Sequence, residues 1–240
     1  MVMNTPRTAA VIGAGPGLGA ALARRFAREG YAVGLFARSE SSLLPVRQEL
    51  EKTGARAGVY VADAADEASL RSAFARMRAE LGAPEVCIYN AGTFAQAGLL
   101  ELTPEQFESS WRIGCMGGFL TAREVVPAML ERGRGTLLFT GATASLRGAA
   151  RFSAFAVGKF GLRALAQSLA RELGPKGIHV AHVVIDGMID TQRVRSMVPG
   201  RETSTMLSPD AIAETYWQLH RQDPSAWTQE LDVRPATEKF

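Results

Sequence analysis

Four glycines at every second position, Gly13, Gly15, Gly17 and Gly19, follow directly on the apolar run Ala9-Ala10-Val11-Ile12. Beyond them Leu18, Leu22 and Phe26 recur at the spacing of one helical face, up to Gly30. A β-branched run, a glycine turn and a helix, in that order, strongly constrain the fold. Without Cβ atoms the backbone turns tightly and a bulky anion can approach it. The helix that follows then presents unpaired N–H groups and a positive dipole end to that anion. A lone glycine pattern predicts only a tight turn. Here it opens a strand–turn–helix unit, and that context predicts a dinucleotide site at Gly13, Gly15, Gly17, Leu18 and Gly19.

The rest of the chain reads as one domain, residues 1–240, with hydrophobic residues making up 47% and charged residues 21%. The net charge of +3 comes largely from arginines scattered through helical stretches. With no Lys/Arg block interleaved with aromatics, nucleic acid is not an expected partner. Cys87 and Cys115 are isolated, without metal or redox spacing, and are expected as buried thiols with no metal. The first residues lack a signal-peptide pattern and no apolar run reaches membrane-spanning length, so the expectation is a cytoplasmic protein with no membrane partner.

Strand and helix signals alternate, which predicts a parallel sheet covered on both faces. The second strand, 31–37, ends at Arg38-Ser39, where an NAD site offers an acid to the ribose 2′-hydroxyl and an NADP site an arginine. Arg38 therefore favours NADP(H) over NAD(H). Asp63 follows the third strand, 58–62, either near the next helix's N-terminus or within reach of an adenine amino group. The fourth strand, 86–89, leads into Asn90-Ala91-Gly92. Thr103, Pro104 and Gln106 form a helix start, and the helix is expected to run unbroken to about Glu131. Gly114, Gly117 and Gly118 inside it each cost about 1 kcal/mol against alanine. Close approach of another helix, from a second subunit in one reading, would explain them. After the fifth strand, 135–140, comes a small-residue stretch, then a long helix carrying Phe152, Phe155 and Lys159. His179 and His182 lie in the sixth strand, 178–185, and are expected as core residues. Residues 192–207 contain Arg193, Arg195 and Arg201 and read as a mobile substrate-side loop or a short helical cover. A last helix starts at Ser208-Pro209, and 229–233 is expected as an edge strand.

In this order and at these intervals, Gly13-x-x-x-Gly17-x-Gly19, Asp63, Asn90-Ala91-Gly92, Lys159 and Asp186-Gly187-x-Ile189-x-Thr191 resemble the short-chain dehydrogenase/reductase family along nearly the whole chain. The resemblance implies a doubly wound α/β Rossmann fold of about seven strands, an NAD(P)(H) site and a homodimer or homotetramer. It also implies roles: the glycine turn for the pyrophosphate, Asp63 for adenine and Asn90 for the adenosine side. Ile189 and Thr191 would hold the nicotinamide amide, and Lys159 the ribose hydroxyls.

The active-site pattern departs from that family. The usual Tyr-x-x-x-Lys is Phe155-Ala156-Val157-Gly158-Lys159, and the wider spacing of the enoyl-reductase branch lands on Phe152. The serine that polarises the substrate oxygen maps to Ala142, the helix asparagine to Gly114, and the proline after the sixth strand to Asp186. A positioned general acid contributes about 10²–10⁴-fold, and an oxyanion donor about 10²–10³-fold. A phenyl ring transfers no proton at any pH. Three readings follow. One is an oxidoreductase acting on a small-molecule substrate with a rearranged site, its proton supplied by Thr140, Thr143, Ser145, Ser153, Asp186, Asp190 or a water held by Lys159. Another is a catalytically silent cofactor-binding sensor or partner subunit. The third is hydride transfer to a substrate that needs no proton, with the arginines of 192–207 binding an anionic group.

Overall fold

The computed structural model describes residues 7–237. Seven parallel strands form one sheet in the order β3-β2-β1-β4-β5-β6-β7. They are β1 Thr8–Ile12, β2 Ala32–Ala37, β3 Ala57–Val61, β4 Val86–Tyr89, β5 Gly135–Thr140, β6 Ile178–Ile185 and β7 Glu230–Val233. The helices are α1 Leu18–Arg28, α2 Glu40–Lys52, α3 Glu67–Glu80, α4 Pro104–Trp111, α5 Gly117–Arg132, α6 Ser153–Leu173, α7 Gln192–Met197 and α8 Pro209–His220. This is the parallel sheet covered on both faces that the alternation of strand and helix signals predicts, in the doubly wound α/β form that the family resemblance implies. The order reverses between β1 and β4, opening a crevice at the carboxyl ends of the strands.

Alternation along β1 shows why both faces are apolar. Ala9 and Val11 belong to the core shared with Leu22 and Phe26 of α1, Leu43 and Leu50 of α2 and Tyr216 of α8. Ala10 and Ile12 face the other way, into the core shared with Phe74 of α3, Val125 of α5 and Leu162 of α6. Strand ends and helix starts are set by capping. Asp66 accepts from the Ser69 N–H at 2.7 Å, and Thr103 and Gln106 close the capping box in front of α4.

The expected single helix over 103–131 is broken. Residues Arg112–Met116 form a π turn between α4 and α5, and the phenol of Tyr89 donates to the Ile113 carbonyl at 2.5 Å. The glycines of this region make close contacts within the chain. A Cβ on Gly114 would lie 3.1 Å from the Gly158 Cα of α6, and one on Gly118 would lie 2.5 Å from Leu162 Cδ1. Counted across the whole helical stretch, Pro104–Arg132 is long and apolar enough to cross a membrane, a length that counting uninterrupted apolar runs missed. Its Val125 and Met129 are fully buried in the sheet-facing core, so it packs as a core helix. Cys87 is buried, but Cys115 is only half-buried, because the π turn carries it to the rim of the core beside Gly161.

Candidate active site

The glycine turn is held from three sides. The N–H groups of Gly13 and Ala14 both donate to the Phe36 carbonyl, at 2.8 and 3.0 Å, tying the turn to β2. The Asn90 side-chain amide donates to the Gly13 carbonyl at 2.9 Å. The amide nitrogen implied for the cofactor's adenosine side thus also braces the turn. Gly13 has φ +89, and a Cβ there would sit 2.8 Å from the Ala91 nitrogen. A Cβ on Gly19 would overlap the Gly13 carbonyl oxygen, so this glycine lets α1 close onto β1. On Gly17, at φ +109, it would meet Thr191 Cγ2 at 2.8 Å. Only Gly15 faces open space.

Helix α1 starts at Leu18 with no side-chain cap and no acid in its first turn. The Ala20 N–H turns back to the Gly15 carbonyl at 3.1 Å, and the N–H groups of Leu18 and Gly19 are left for an outside acceptor. An open glycine, uncapped N–H groups and the helix dipole together fit a pyrophosphate. Arg38 stands exposed at the end of β2 and makes no ion pair among the described residues. Asp63, after β3, is exposed and accepts from the Ala65 N–H at 2.9 Å, while Asp66 takes the cap of α3.

Lys159 reaches the cleft from α6. Its Nζ donates to the Thr140 carbonyl at 2.6 Å and is 5% exposed. A Cβ on Gly92 would come within 3.5 Å of that Nζ, which places the lysine beside Asn90-Ala91-Gly92. Burial lowers the Lys159 pKa to about 8. One helical turn before it stands Phe155. Its ring meets Phe94 at 5.7 Å between centroids, and Phe152 meets the same Phe94 at 5.4 Å, both pairs inclined at 61°. Phe94 was not a sequence candidate; its only signal was an apolar aromatic placed two residues past Gly92 in a loop. Beside it an open groove of about 510 Å³ runs between Thr93, Ala97, Leu102 and Ser110.

All of the candidate proton donors on the chain except Ser153 are already engaged by other protein groups. Thr140 Oγ1 bonds the Tyr216 phenol at 2.8 Å deep in the core. Ser145 is fully buried, where its Oγ accepts the Ala142 N–H at 3.1 Å. Thr143 donates to Asp186 at 2.5 Å, and Asp186 pairs with Arg234 at 3.5 Å. Asp190 is bound twice by Arg195, and Ser153 is exposed at the start of α6. The structure thus joins Thr143 to Asp186 and keeps Thr140 and Ser145 out of the cleft.

Below the β5 turn runs a chain that the sequence did not reveal. His182 Nδ1 is 2.9 Å from Glu230 and Nε2 is 3.3 Å from Ser145 Oγ, while Arg163 grips Glu230 at 2.6 and 2.7 Å. Burial pushes the His182 pKa down to about 4. The ring is therefore neutral, donating to Glu230 and accepting from Ser145.

Residues 192–207 take the helical-cover form: α7, then a turn at Thr203–Thr205. Ile189 bridges to Leu207, and the Thr191 hydroxyl caps α7 from the Val194 N–H at 3.2 Å. Gly187, at φ +148, lies under Leu207 and Pro235. Arg195 pairs with Asp190 just before the segment and Arg201 donates to Thr205 within it, while Arg193 is exposed and makes no ion pair among the described residues. A larger cavity of about 650 Å³, lined in part by Arg7, Glu85, Arg132 and Arg134, lies at the opposite, amino end of the strands. Its Arg132 is engaged by the carbonyls of Ala83 and Pro84, and it lies away from the glycine turn and Lys159.

Comparison with known proteins converges on one family. The family model described as short chain dehydrogenase matches residues 7–202. A short-chain dehydrogenase/reductase of Armillaria gallica is 33% identical over 178 residues, 72% of this chain and 68% of that protein. The crystal structure of a short-chain dehydrogenase from Rhodopseudomonas palustris is 42% identical, with a TM-score of 0.83 over 95% of this chain and 98% of that one. A metagenomic short-chain oxidoreductase solved in complex with NADP is 26% identical, with a TM-score of 0.84 over 97% and 98% of the two chains.

Proposed function

Because this chain belongs to the short-chain dehydrogenase family, we infer that it is an NADP(H)-dependent oxidoreductase working through a non-standard active site. One contrast carries the reading. The glycine turn offers close backbone and an open Gly15 to a dinucleotide, while Phe155 stands at the position where the sequence resemblance implies a proton-handling phenol. In this reading the turn from Gly13 to Gly19, with the first N–H groups of α1, holds the pyrophosphate. Arg38 takes the 2′-phosphate, which favours NADP(H), and the 26%-identical relative in complex with NADP supports that choice. Asp63 meets the adenine, and Asn90, Ala91 and Gly92 line the adenosine side. Lys159, anchored on Thr140, directs its remaining N–H donors to the ribose hydroxyls. Gly187, Ile189 and Thr191 border the nicotinamide amide. When bound, the cofactor supplies or accepts a hydride. The chain's part is to orient it and exclude water with Phe94, Phe152 and Phe155.

A second reading, a silent cofactor-binding sensor or partner subunit, draws on the engagement of Thr140, Thr143 and Ser145 by other protein groups. Transfer of deuteride from labelled NADPH to any carbonyl, enone or iminium acceptor separates the two. Transfer rejects the silent protein; a folded, NADPH-bound protein that transfers nothing rejects the enzyme. We further propose a homodimer or homotetramer assembled through α4, α5 and α6, which expose Phe107, Phe119, Val157 and Phe160. Sedimentation velocity showing only monomer would reject it.

A further inference from the structure

The hydrogen bond between Thr143 and Asp186 runs one way only. A carboxylate accepts and does not donate, so the Thr143 hydroxyl commits its one proton to Asp186 Oδ1, at 2.5 Å. Its oxygen then offers a third group nothing but lone pairs. A hydroxyl in that state can take a proton from a ligand and has none to give. The geometry points to an alcohol as the substrate, with Thr143 and Asp186 together accepting its hydroxyl proton. The inference rests on the oxidoreductase reading above and names the substrate class and the proton acceptor of that same site.

Both residues stand where such a pair has to be. Thr143 is half-buried and directly follows Ala142, the position to which the resemblance gives the group that meets the substrate oxygen. Asp186 directly precedes Gly187, and Gly187, Ile189 and Thr191 border the nicotinamide amide in the reading above. A Cβ on Gly17 would lie 2.8 Å from Thr191 Cγ2, so that segment packs on the glycine turn. Asp186 is 7% exposed, and Arg234, itself held by Asp232, stands 3.5 Å from its Oδ2. The two carboxylate oxygens are thus divided between Thr143 and a counter-ion.

The other candidates are excluded by position or charge. Phe152, Phe155 and Lys159 share one face of α6 by their spacing of three and four, whereas Ser153 goes with Val157 and Phe160 on the exposed one. Lys159, whose pKa burial lowers to about 8, is an ammonium at neutral pH with no lone pair. Thr140 and Ser145 are bonded in the core, and Arg195 binds both oxygens of Asp190. In the step itself the alcohol's C–H bond breaks, and the hydrogen with its electron pair passes as hydride to the oxidised nicotinamide. The alcohol proton moves to Thr143 Oγ1, the proton of Thr143 moves to Asp186, and the O–H electron pair becomes the second C–O bond. Asp186 then returns its proton to water. One alcohol and NADP⁺ become one carbonyl compound, NADPH and a proton.

The test uses the whole protein, NADP⁺ and a panel of primary and secondary alcohols deuterated at the carbinol carbon, with every variant compared at saturating NADP⁺. At least one alcohol should be oxidised, its deuterium appearing on NADPH. Thr143→Val, which keeps the branched shape and removes the hydroxyl, should slow that oxidation about 10²–10⁴-fold, the value of a positioned general base. The residual rate should climb about tenfold per pH unit as hydroxide takes over the proton, a dependence absent from the unaltered protein. Thr143→Ser should recover most of the rate, and Asp186→Asn should lose about as much as Thr143→Val. Oxidation of no alcohol by the NADP⁺-bound protein, an unaffected Thr143→Val protein, or a slowed one with unchanged pH dependence would each overturn the inference and leave nucleotide binding standing. Failure of NADP⁺ and NADPH to bind would instead remove the oxidoreductase reading, and this inference with it.

Discussion

The two halves of the crevice are made of different material. On the β1–β4 side the site consists of backbone: glycines whose missing Cβ atoms let chain segments touch, and N–H groups left without caps. On the β5–β6 side it consists of side chains, and these are occupied with one another. Thr143 binds Asp186, Asp186 binds Arg234, and Ser145, His182, Glu230 and Arg163 form a closed line beneath the turn. A backbone site tolerates little change, because each glycine is a steric necessity. A side-chain site can be rewritten residue by residue while the fold persists. That difference accounts for one half that carries the glycine and Asn90-Ala91-Gly92 motifs beside another that keeps Lys159 and Gly187-x-Ile189-x-Thr191 while the other three usual catalytic groups are replaced.

The sharpest way to break the comparison is Gly19→Ala. Its Cβ would overlap a backbone oxygen that cannot move without opening the turn. The expected result is a loss of about 3 kcal/mol or more in stability, with NADPH binding abolished. Urea unfolding and a fluorescence titration read both. Near-normal binding would mean that the cradle is less tightly built than its backbone contacts imply.

Acid should strike His182 in the other half and, at the amino end of the strands, His220 of α8, which meets Tyr31 at 2.7 Å and Thr136 at 2.9 Å. Burial lowers the pKa of both His182 and His220 to about 4, from 6.5 in the unfolded chain. Above pH 6.5 both states hold neutral rings, and the folded protein has its full stability. As pH falls from 6.5 towards 4, the unfolded chain takes up protons that the folded chain refuses, and stability is lost. Each histidine contributes about 1.4 kcal/mol per pH unit across that window, so roughly 4 kcal/mol should disappear between pH 7 and 5 for the pair. His182→Gln should remove about half of that pH dependence. A flat profile in urea titrations would mean that these rings are not held neutral.

A smaller effect concerns the rim of the cradle. Arg38→Ala should weaken NADPH by about 10–100-fold, the value of a charge-assisted contact to phosphate, and leave NADH unchanged. Equal losses for both cofactors would detach Arg38 from the 2′-phosphate.

What the sequence disclosed follows the same division. Glycine spacing, the capping residues before α4 and α8 and the alternation of strand and helix signals are local, so the glycine turn, those two helix starts and the sheet covered on both faces were readable in order. The π turn at Arg112–Met116, the Arg234 partner of Asp186 and the pairing of Phe94 with Phe152 and Phe155 depend on residues far apart in sequence. No local pattern announces them. Phe155 could be seen to replace a tyrosine, but only the coordinates show that a third ring faces it.

The smallest expected effect is the most informative about that half. Phe155→Tyr restores the phenol one turn before Lys159, yet ketone reduction should stay within about threefold of background. One proton donor supplies only part of the missing stabilisation, and Ala142 still offers no donor to the carbonyl oxygen. Adding Ala142→Ser should raise the rate measurably, but not to the level of a complete site. The fourth group cannot be restored by substitution, because a Cβ at Gly114 already lies 3.1 Å from the Gly158 Cα and an asparagine there would part α6 from the π turn. Strong ketone reduction by Phe155→Tyr alone would show the opposite: that the rest of the usual machinery is present and only a hydroxyl was lost. The close packing of Gly114 on Gly158 argues against that, since it commits the helix to a shape in which the asparagine has no room.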